Sequence, residues 1–358
     1  MTCFINKIYD WYRLHKRLLP WRETVEPYLI WLSEIILQQT RINQGTGYYL
    51  RFVEKYPTVK SLADAEEEDV LKLWQGLGYY SRARNLHYTA RYIANSLNGR
   101  FPETKSELKK LKGVGDYTAS AIASIAFNQP EAAVDGNVYR LLSRFLAIAT
   151  PIDTSEGKKE FAQIADMLLD RENPGLFNQA MMEMGALMCT PALPNCQNCP
   201  VATHCLSHAN GDMLNYPVKT KKTKVRERYF NYFIIHNDTY IIMCRRERGD
   251  IWQGLYDFPL SETVALLTEE EACFVLSKEF AAFSGSLKKE SDMRHQLTHQ
   301  TIHIRFFSLA TSLDNNIPTF FTGRNTVLIS KNELDKYPVP KPVEKWLLKK
   351  TNSIPHTP

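Results

Sequence analysis

The sequence predicts a chain in two parts, an all-helical region followed by a mixed α/β region. Three observations carry that division. Apolar residues recur at spacings of three and four from Phe4 to about Ala209, six cations and one anion crowd into residues 219–228, and beyond them the apolar pattern turns to short runs and alternation. A length of 358 residues suits two or three compact units.

Taken in order, WLSEIILQQT, VLKLWQGLGYY, RNLHYTARYIANSL, SAIASIAF, VYRLLSRFLAIA, EFAQIADMLL and FNQAMMEMGALM carry apolar residues at helical period, separated by short Gly, Pro and Asn breaks. The helical region therefore runs over 1–209. Residues 210–228 read as the linker, either a solvated spacer or a connector that touches phosphates. In YFNYFIIHNDTYIIMCRR two β-rich runs flank His236, Asn237 and Asp238, a hairpin pattern, and TIHIRFFSLA alternates as a half-buried strand does.

Composition is that of an ordinary globular protein, 44% hydrophobic and 23% charged. No apolar run approaches the roughly 20 residues of a membrane span. The amphipathic start MTCFINKIYDWYRLHKRLLPW lacks a signal-peptide core, so a cytoplasmic protein with no membrane partner is expected. The net charge of +5 equals the charge of residues 219–228 alone, which makes the total weak ground for nucleic-acid binding. With no coiled-coil pattern or long apolar stripe, a monomer is expected.

Four of the seven cysteines, Cys189, Cys196, Cys199 and Cys205, lie within 17 residues. That is too tight a knot for ordinary disulfides in a reducing cell, and thiolates gathered so closely favour a soft metal. Zinc and a [4Fe-4S] cluster both accept four thiolates, and spacing alone does not choose between them. Cys3, Cys244 and Cys273 read as free or buried thiols.

The Gly113-Val114-Gly115 turn closes one helical pattern and opens another. Plain punctuation between helices explains it, but such a turn also exposes backbone N–H groups where the helix dipole favours an anion. Lys109, Lys110 and Lys112 precede it, which suits a polyanion.

Two carboxylates stand apart. Glu34 sits among Ile, Leu and Trp, where burial would penalise the anion and suit a general acid. Half-protonation at neutral pH needs a penalty of about 3.7 kcal/mol, within what burial supplies. A surface carboxylate on an amphipathic helix is the plainer alternative. Asp135 precedes a helical pattern and reads equally as its N-cap.

In this order, WLSEIILQQTR, GLGYYSRARNL, LKGVGDYTASAI, AVDGNVYRLLSR and the C-x6-C-x2-C-x5-C cluster resemble the helix-hairpin-helix DNA glycosylases that carry an iron–sulfur cluster. Within them they are most similar to the adenine DNA glycosylases (MutY family). The match runs over residues 1 to about 225, with a looser continuation to the end. It implies a six-helix barrel at about 23–132 and a cluster subdomain from 1–22 plus 133–209 whose four cysteines hold a [4Fe-4S] cluster. It also implies a Nudix-like α/β domain over 229–358 that reads 8-oxoguanine.

The resemblance further implies double-stranded DNA with adenine opposite 8-oxoguanine or guanine as substrate, met at the nucleoid, and hydrolysis of the adenine N-glycosidic bond. Glu34 would protonate N7 of the flipped base. Asp135 would stabilise the cationic sugar or trap it briefly as an adduct, and Tyr117 would hydrogen-bond and orient that carboxylate. In the related endonuclease III enzymes a lysine nucleophile aligns with Tyr117. A tyrosine forms no Schiff base, which implies a glycosylase that leaves the strand uncut.

Gly113, Val114 and Gly115 would grip a phosphate through backbone amides. Gln38, Gln39, Leu77 and Tyr79 match segments that insert beside the lesion pair. Arg17 and Arg22 fall in a segment that lines the adenine pocket. Many bacterial members read the oxidised guanine with Phe-Ser-His, where this chain has Leu297, Thr298 and His299; threonine keeps the hydroxyl, but the phenylalanine is lost. No pyrophosphohydrolase box follows the DFP at 257–259, so that activity is not expected. His295, His299 and His303 have a spacing that admits a metal, with core or surface histidines as the plainer reading. Two rivals remain: a glycosylase and lyase for oxidised pyrimidines, and a non-catalytic metal-stabilised DNA-binding protein.

Overall fold

The computed structural model describes residues 2–220, 225–279, 287–311 and 325–351. It divides into two units, Met1–Asp64 with Asn85–Lys222, and Ala65–Arg84 with Thr223–Pro358.

The first unit is helical. Pro27 opens the helix Pro27–Leu37 with a φ already suited to it. That helix buries Ile30, Trp31, Leu32, Ser33, Ile35 and Ile36, so it is apolar nearly all round and central. It packs on Asp116–Phe127, which ends at Asn128 in the left-handed conformation. A second core joins the amino-terminal helix Thr2–His15, through Ile8, Trp11 and Tyr12, to the helices Gly136–Phe145, Ser155–Leu168 and Pro174–Leu187, through Leu142, Phe161 and Met184. Where the last of these crosses Gly136–Phe145, a Cβ on Gly185 would stand 2.6 Å from the Asn137 carbonyl oxygen. Only glycine permits that approach, which sets Asp135 and Glu183 beside the same cleft.

The expected linker at 210–228 needs correction. Met213–Asn215 is a 3₁₀ turn, and the chain after it is fastened to the helical unit. Arg144 Nε donates to Tyr216 O at 3.1 Å, Ile152 N to Val218 O at 3.1 Å, and Thr220 N to Asp153 Oδ1 at 3.0 Å. These backbone groups find partners in the helical unit. Residues 221–224 of the basic run lie outside the described residues, and the first strand already begins at Arg226.

The second unit is built on a seven-stranded sheet of β1 Arg226–His236, β2 Tyr240–Arg245, β3 Tyr256–Asp257, β4 Leu260–Thr263, β5 Lys288–Gln296, β6 Gln300–Ala310 and β7 Thr326–Ser330. The order is β3-β2-β1-β6-β5, with β4 also on β1 and β7 on β2. β1 and β2 form the expected hairpin, and β1 runs parallel to β6 from Arg226↔Gln300 to His236↔Ala310. Phe230 to Ile235 are buried without a break, as a strand covered on both faces requires. The helix Glu269–Glu279 covers one face with Ala272 and Leu276, against Phe233 and Phe307. On the other face Trp346, from the helix Lys341–Thr351, meets Phe258 and Phe306.

Residues 65–84, expected in the helical region, belong instead to this second unit. The helix Glu67–Leu73 explains why. Tyr256 donates its hydroxyl proton to Glu68 Oε1 at 2.6 Å, Arg245 pairs with Glu67 at 3.4 Å, and Lys72 Nζ donates to Tyr337 O at 3.0 Å. Just beyond it, Gln75 Oε1 accepts from Val339 N at 3.1 Å while its Nε2 donates to Glu344 at 3.0 Å. Helical periodicity identifies such a helix without naming its neighbours.

Candidate active site

A cleft of about 520 Å³ opens in the helical unit, lined by Glu34, Tyr117, Asp135, Glu183, Arg17 and Arg22 among others. That volume falls in the range of small-ligand sites. The cleft thus gathers the three expected catalytic residues and both expected pocket arginines.

Glu34 projects from the helix Pro27–Leu37, whose Trp31, Leu32, Ile35 and Ile36 are buried. Burial pushes its carboxyl from 4.5 up to about 7, a hydrogen bond with Tyr117 opposes the rise, and the Asp135 charge adds to it. The acid is therefore half-protonated near neutral pH. Tyr117 Oη donates to Met182 Sδ at 3.2 Å and also pairs with Glu34.

Tyr117 is close enough to Asp135 to feel its charge. The Asp135 oxygens are held by its own helix: Oδ1 accepts from Asn137 N at 2.9 Å and Val138 N at 2.8 Å, and Oδ2 from Asn137 Nδ2 at 2.6 Å. Asp135 is both the N-cap of Gly136–Phe145 and a wall of the cleft. Its pKa is also raised, by burial first, with the bonds from Val138 and Asn137 opposing. The two carboxyls do not separate into one raised and one ordinary; they differ in that donors favouring the anion surround Asp135.

Sequence reasoning missed Glu183. It is 1% exposed and takes both guanidinium groups, with Arg17 at 2.5 Å and Arg22 at 2.7 Å. Burial alone would raise its pKa, but the bonds from Arg17 and Arg22 win and hold it at about 2. Its folded pKa is depressed, so its stabilisation is present above pH 4.5 and is lost as pH falls toward 2. Glu183→Ala strands two cations, and we expect a loss of about 3 kcal/mol in urea unfolding at pH 7. A loss below about 1 kcal/mol would show the arginines re-paired or solvated.

Residues 32–166 match the HhH-GPD superfamily of base excision DNA repair proteins, and residues 231–349 match the NUDIX domain. The adenine DNA glycosylase of Buchnera aphidicola subsp. Schizaphis graminum is 30% identical over 345 residues, covering 96% of this chain and 97% of that protein.

This chain belongs to the adenine DNA glycosylases.

The adenine DNA glycosylase of Arabidopsis thaliana is 37% identical over 83% of the chain, and this chain spans only 54% of that longer relative. A solved thermostable thymine-DNA glycosylase matches with TM-score 0.54 at 27% identity, over 58% of this chain and 95% of that one. Membership makes the protein a DNA glycosylase of base excision repair.

Elsewhere in this glycosylase's helical unit, Gly113 has φ +86, and an added Cβ would lie 3.1 Å from Asn85 Cβ. Val114 is buried and its amide donates to Leu111 O, so that amide is spent inside the fold. Gly115 is the N-cap of Asp116–Phe127, and open space lies where its side chain would be. Gln38 bridges to this turn, donating to Thr118 Oγ1 at 3.2 Å and Gly113 O at 3.4 Å, whereas Gln39 is exposed at φ +54. Lys109 is paired with Asp116, and Lys112 lies over the Tyr88 ring.

The four cysteines of the glycosylase line one small cavity of about 30 Å³ with Arg144 and Leu141. Burial pushes the Cys199 thiol up to about 11 and raises Cys196 as well. Arg144, 3% exposed, reaches Cys189 Sγ at 3.5 Å, a cation suited to a group of thiolates. Among the described residues no three His, Cys, Asp or Glu side chains converge to hold one metal ion. That includes His295, His299 and His303. His295 lies beside Trp252, and His303 pairs with Glu227 at 2.6 Å.

In the second unit Leu77 is only 6% exposed, so it is core rather than the expected wedge. Tyr79 is 43% exposed at φ +47, with Arg82 beneath its ring at 5.7 Å. Leu297, Thr298 and His299 form the turn between β5 and β6, and the Thr298 hydroxyl meets that of Tyr79. No helix among the described residues is long and apolar enough to cross a membrane.

Proposed function

We propose that this protein removes adenine mispaired with 8-oxoguanine, and less strictly with guanine, from duplex DNA, leaving the strand uncut. The observation that carries the reading is one cleft containing a Glu34 carboxyl with a pKa near 7 and an Asp135 carboxylate bound by three donors. Glu34 supplies a proton to N7 of the flipped adenine, which makes the base a neutral leaving group. Asp135 meets the positive charge that develops on the sugar, and water completes the hydrolysis. Arg17 and Arg22, fixed by Glu183, give the cleft a rigid polar wall. Tyr117 offers no amine, so no Schiff base forms there.

Cys189, Cys196, Cys199 and Cys205 would hold a [4Fe-4S] cluster, whose iron–thiolate bonds would tie together the chain from 189 to 205. Their shared cavity and the Arg144 cation support that assignment. The Gly113–Gly115 turn would receive a backbone phosphate, Tyr79 would enter the duplex, and the turn bearing Thr298 would meet the oxidised guanine. Family membership and the absence of lysine at 117 support the reading over pyrimidine excision.

Single-turnover base release from duplexes carrying adenine opposite 8-oxoguanine, adenine opposite guanine, and thymine glycol opposite adenine tests this. Cuts that need alkali, confined to adenine and fastest opposite 8-oxoguanine, are expected. Alkali-independent cuts at thymine glycol would overturn it, and no product from any duplex would favour a binding protein.

A further inference from the structure

We propose that Asn178 is a positioning residue for Asp135, acting through the stretch Glu131–Ala133 that leads into that carboxylate. This rests on the reading above, in which Asp135 meets the positive charge on the sugar. Asn178 lies on Pro174–Leu187 and is 0% exposed. Its Oδ1 accepts from Ala133 N at 2.9 Å, and its Nδ2 donates to Glu131 O and to Ser124 Oγ, both at 2.8 Å. The partners fix which way round the amide stands. A main-chain N–H only donates and a main-chain carbonyl only accepts, so the oxygen must face Ala133 and the nitrogen Glu131. Ser124 Oγ can accept the second amide proton because its own goes to Ser120 O at 2.7 Å.

Glu131 and Ala133 belong to no helix or strand, so the Asn178 side chain supplies the pairing that a neighbouring strand would give them. Apolar packing alone would let this stretch slide along the helix, whereas three directional bonds fix its register. Asp135 follows two residues after Ala133 and caps Gly136–Phe145. Beyond Asp135 the same helix holds the chain again. Gly185 lies against the Asn137 carbonyl, where an added Cβ would stand 2.6 Å from the oxygen, and Gly185 O accepts from Arg140 Nη2 at 2.6 Å. Asn178 and Gly185 are about two turns apart and so share one face of Pro174–Leu187. Asp135 is thus bracketed by two contacts with a single helix, the one that also brings Met182 and Glu183 to the cleft. The bonds from Asn137 and Val138 orient its oxygens locally, and Asn178 sets where the residue as a whole stands in the cleft.

Asn178→Ala removes all three bonds. Hydrogen exchange of peptides spanning 129–137, followed by mass spectrometry, should speed at least about tenfold while the helix Ile42–Lys55 is unchanged. Protection equal to that of the parent would overturn the clamp. The functional readout is a ratio of affinities, that for a duplex bearing a cationic pyrrolidine in place of the target deoxyribose over that for one bearing neutral tetrahydrofuran. A misplaced carboxylate loses its hold on the cation alone, so the ratio should fall about tenfold while tetrahydrofuran binding stays within about threefold. An equal loss for both duplexes, or an unchanged ratio, would make Asn178 a merely structural residue and overturn its positioning role.

If the alanine variant does not fold, Asn178→Asp serves in its place. It keeps the shape and the acceptor for Ala133 but loses at least one of the two donors, so the ratio should fall about threefold, and an undiminished ratio would count against the proposal. Asp135→Asn separates the proposal from the reading beneath it, because there the ratio should fall at least as far as in Asn178→Ala. A ratio unchanged in Asp135→Asn would remove Asp135 from the charge-stabilising role, and the exchange result would still decide the clamp.

Discussion

Glu34→Gln should cut single-turnover adenine release about 10³-fold while leaving duplex affinity within about threefold of the parent. Glutamine keeps the size and the hydrogen-bonding shape, but it has no proton to give. The parent enzyme carries a matching signature in pH. Glu34 holds its proton up to about 7, so release should be level below that value and fall tenfold per unit above it. The same group links to stability. Its folded pKa is raised, so stability is complete below the ordinary value of 4.5 and is lost as pH rises through about 7, by at most roughly 3 kcal/mol. The inactive variant should therefore melt above the parent at pH 8.5 and close to it at pH 5. Unchanged turnover would remove Glu34 from the chemistry, and equal melting at both pH values would show that its carboxyl titrates in contact with water.

The second large effect is expected at Cys199. Cys199→Ser should lower bound iron, destabilise the helical unit and weaken duplex binding by at least about tenfold, or 1.4 kcal/mol. Cys199 and Cys189 pack against the core that joins Thr2–His15 to Pro174–Leu187, so disorder in their loop reaches residues that position Glu183 and Met182. Iron content, circular dichroism and duplex titration on the same sample check it. Full binding by an iron-free, folded variant would show the metal to be dispensable.

The parts of this site that were legible in the sequence share one property: their chemistry is local. Glu34 is marked by its apolar neighbours and Asp135 by the helix it caps. The β1–β2 hairpin is marked by Asn237 and Asp238, whose side chains favour tight turns. Glu183 has a comparable local signal, a lone carboxylate in MMEMGALM, and the criterion applied to Glu34 would have found it. Its partners could not be read, because Arg17 and Arg22 lie 166 and 161 residues away. The parallel pairing of β1 with β6 is hidden for the same reason. β5, KKESDMRHQ, is an edge strand with no fully buried residue, so it carries little apolar alternation. The burial of Leu77 was likewise invisible, since a wedge and a core leucine look the same in GLGYY.

The stretch from Ala65 to Arg84 carries a consequence for inheritance. Read along the chain it falls inside the repair-protein family match, yet its side chains are satisfied by residues more than 150 positions later. The protein is therefore not two interchangeable modules that meet at a seam near residue 225. A hybrid that took its carboxy-terminal region from a relative would deprive Glu68, Lys72 and Gln75 of partners, and Leu71 of the glycine at 254 against which it sits. Ancestry can only exchange these regions as a set: whichever lineage supplies the sheet has to supply the twenty residues of helix and loop that close against it.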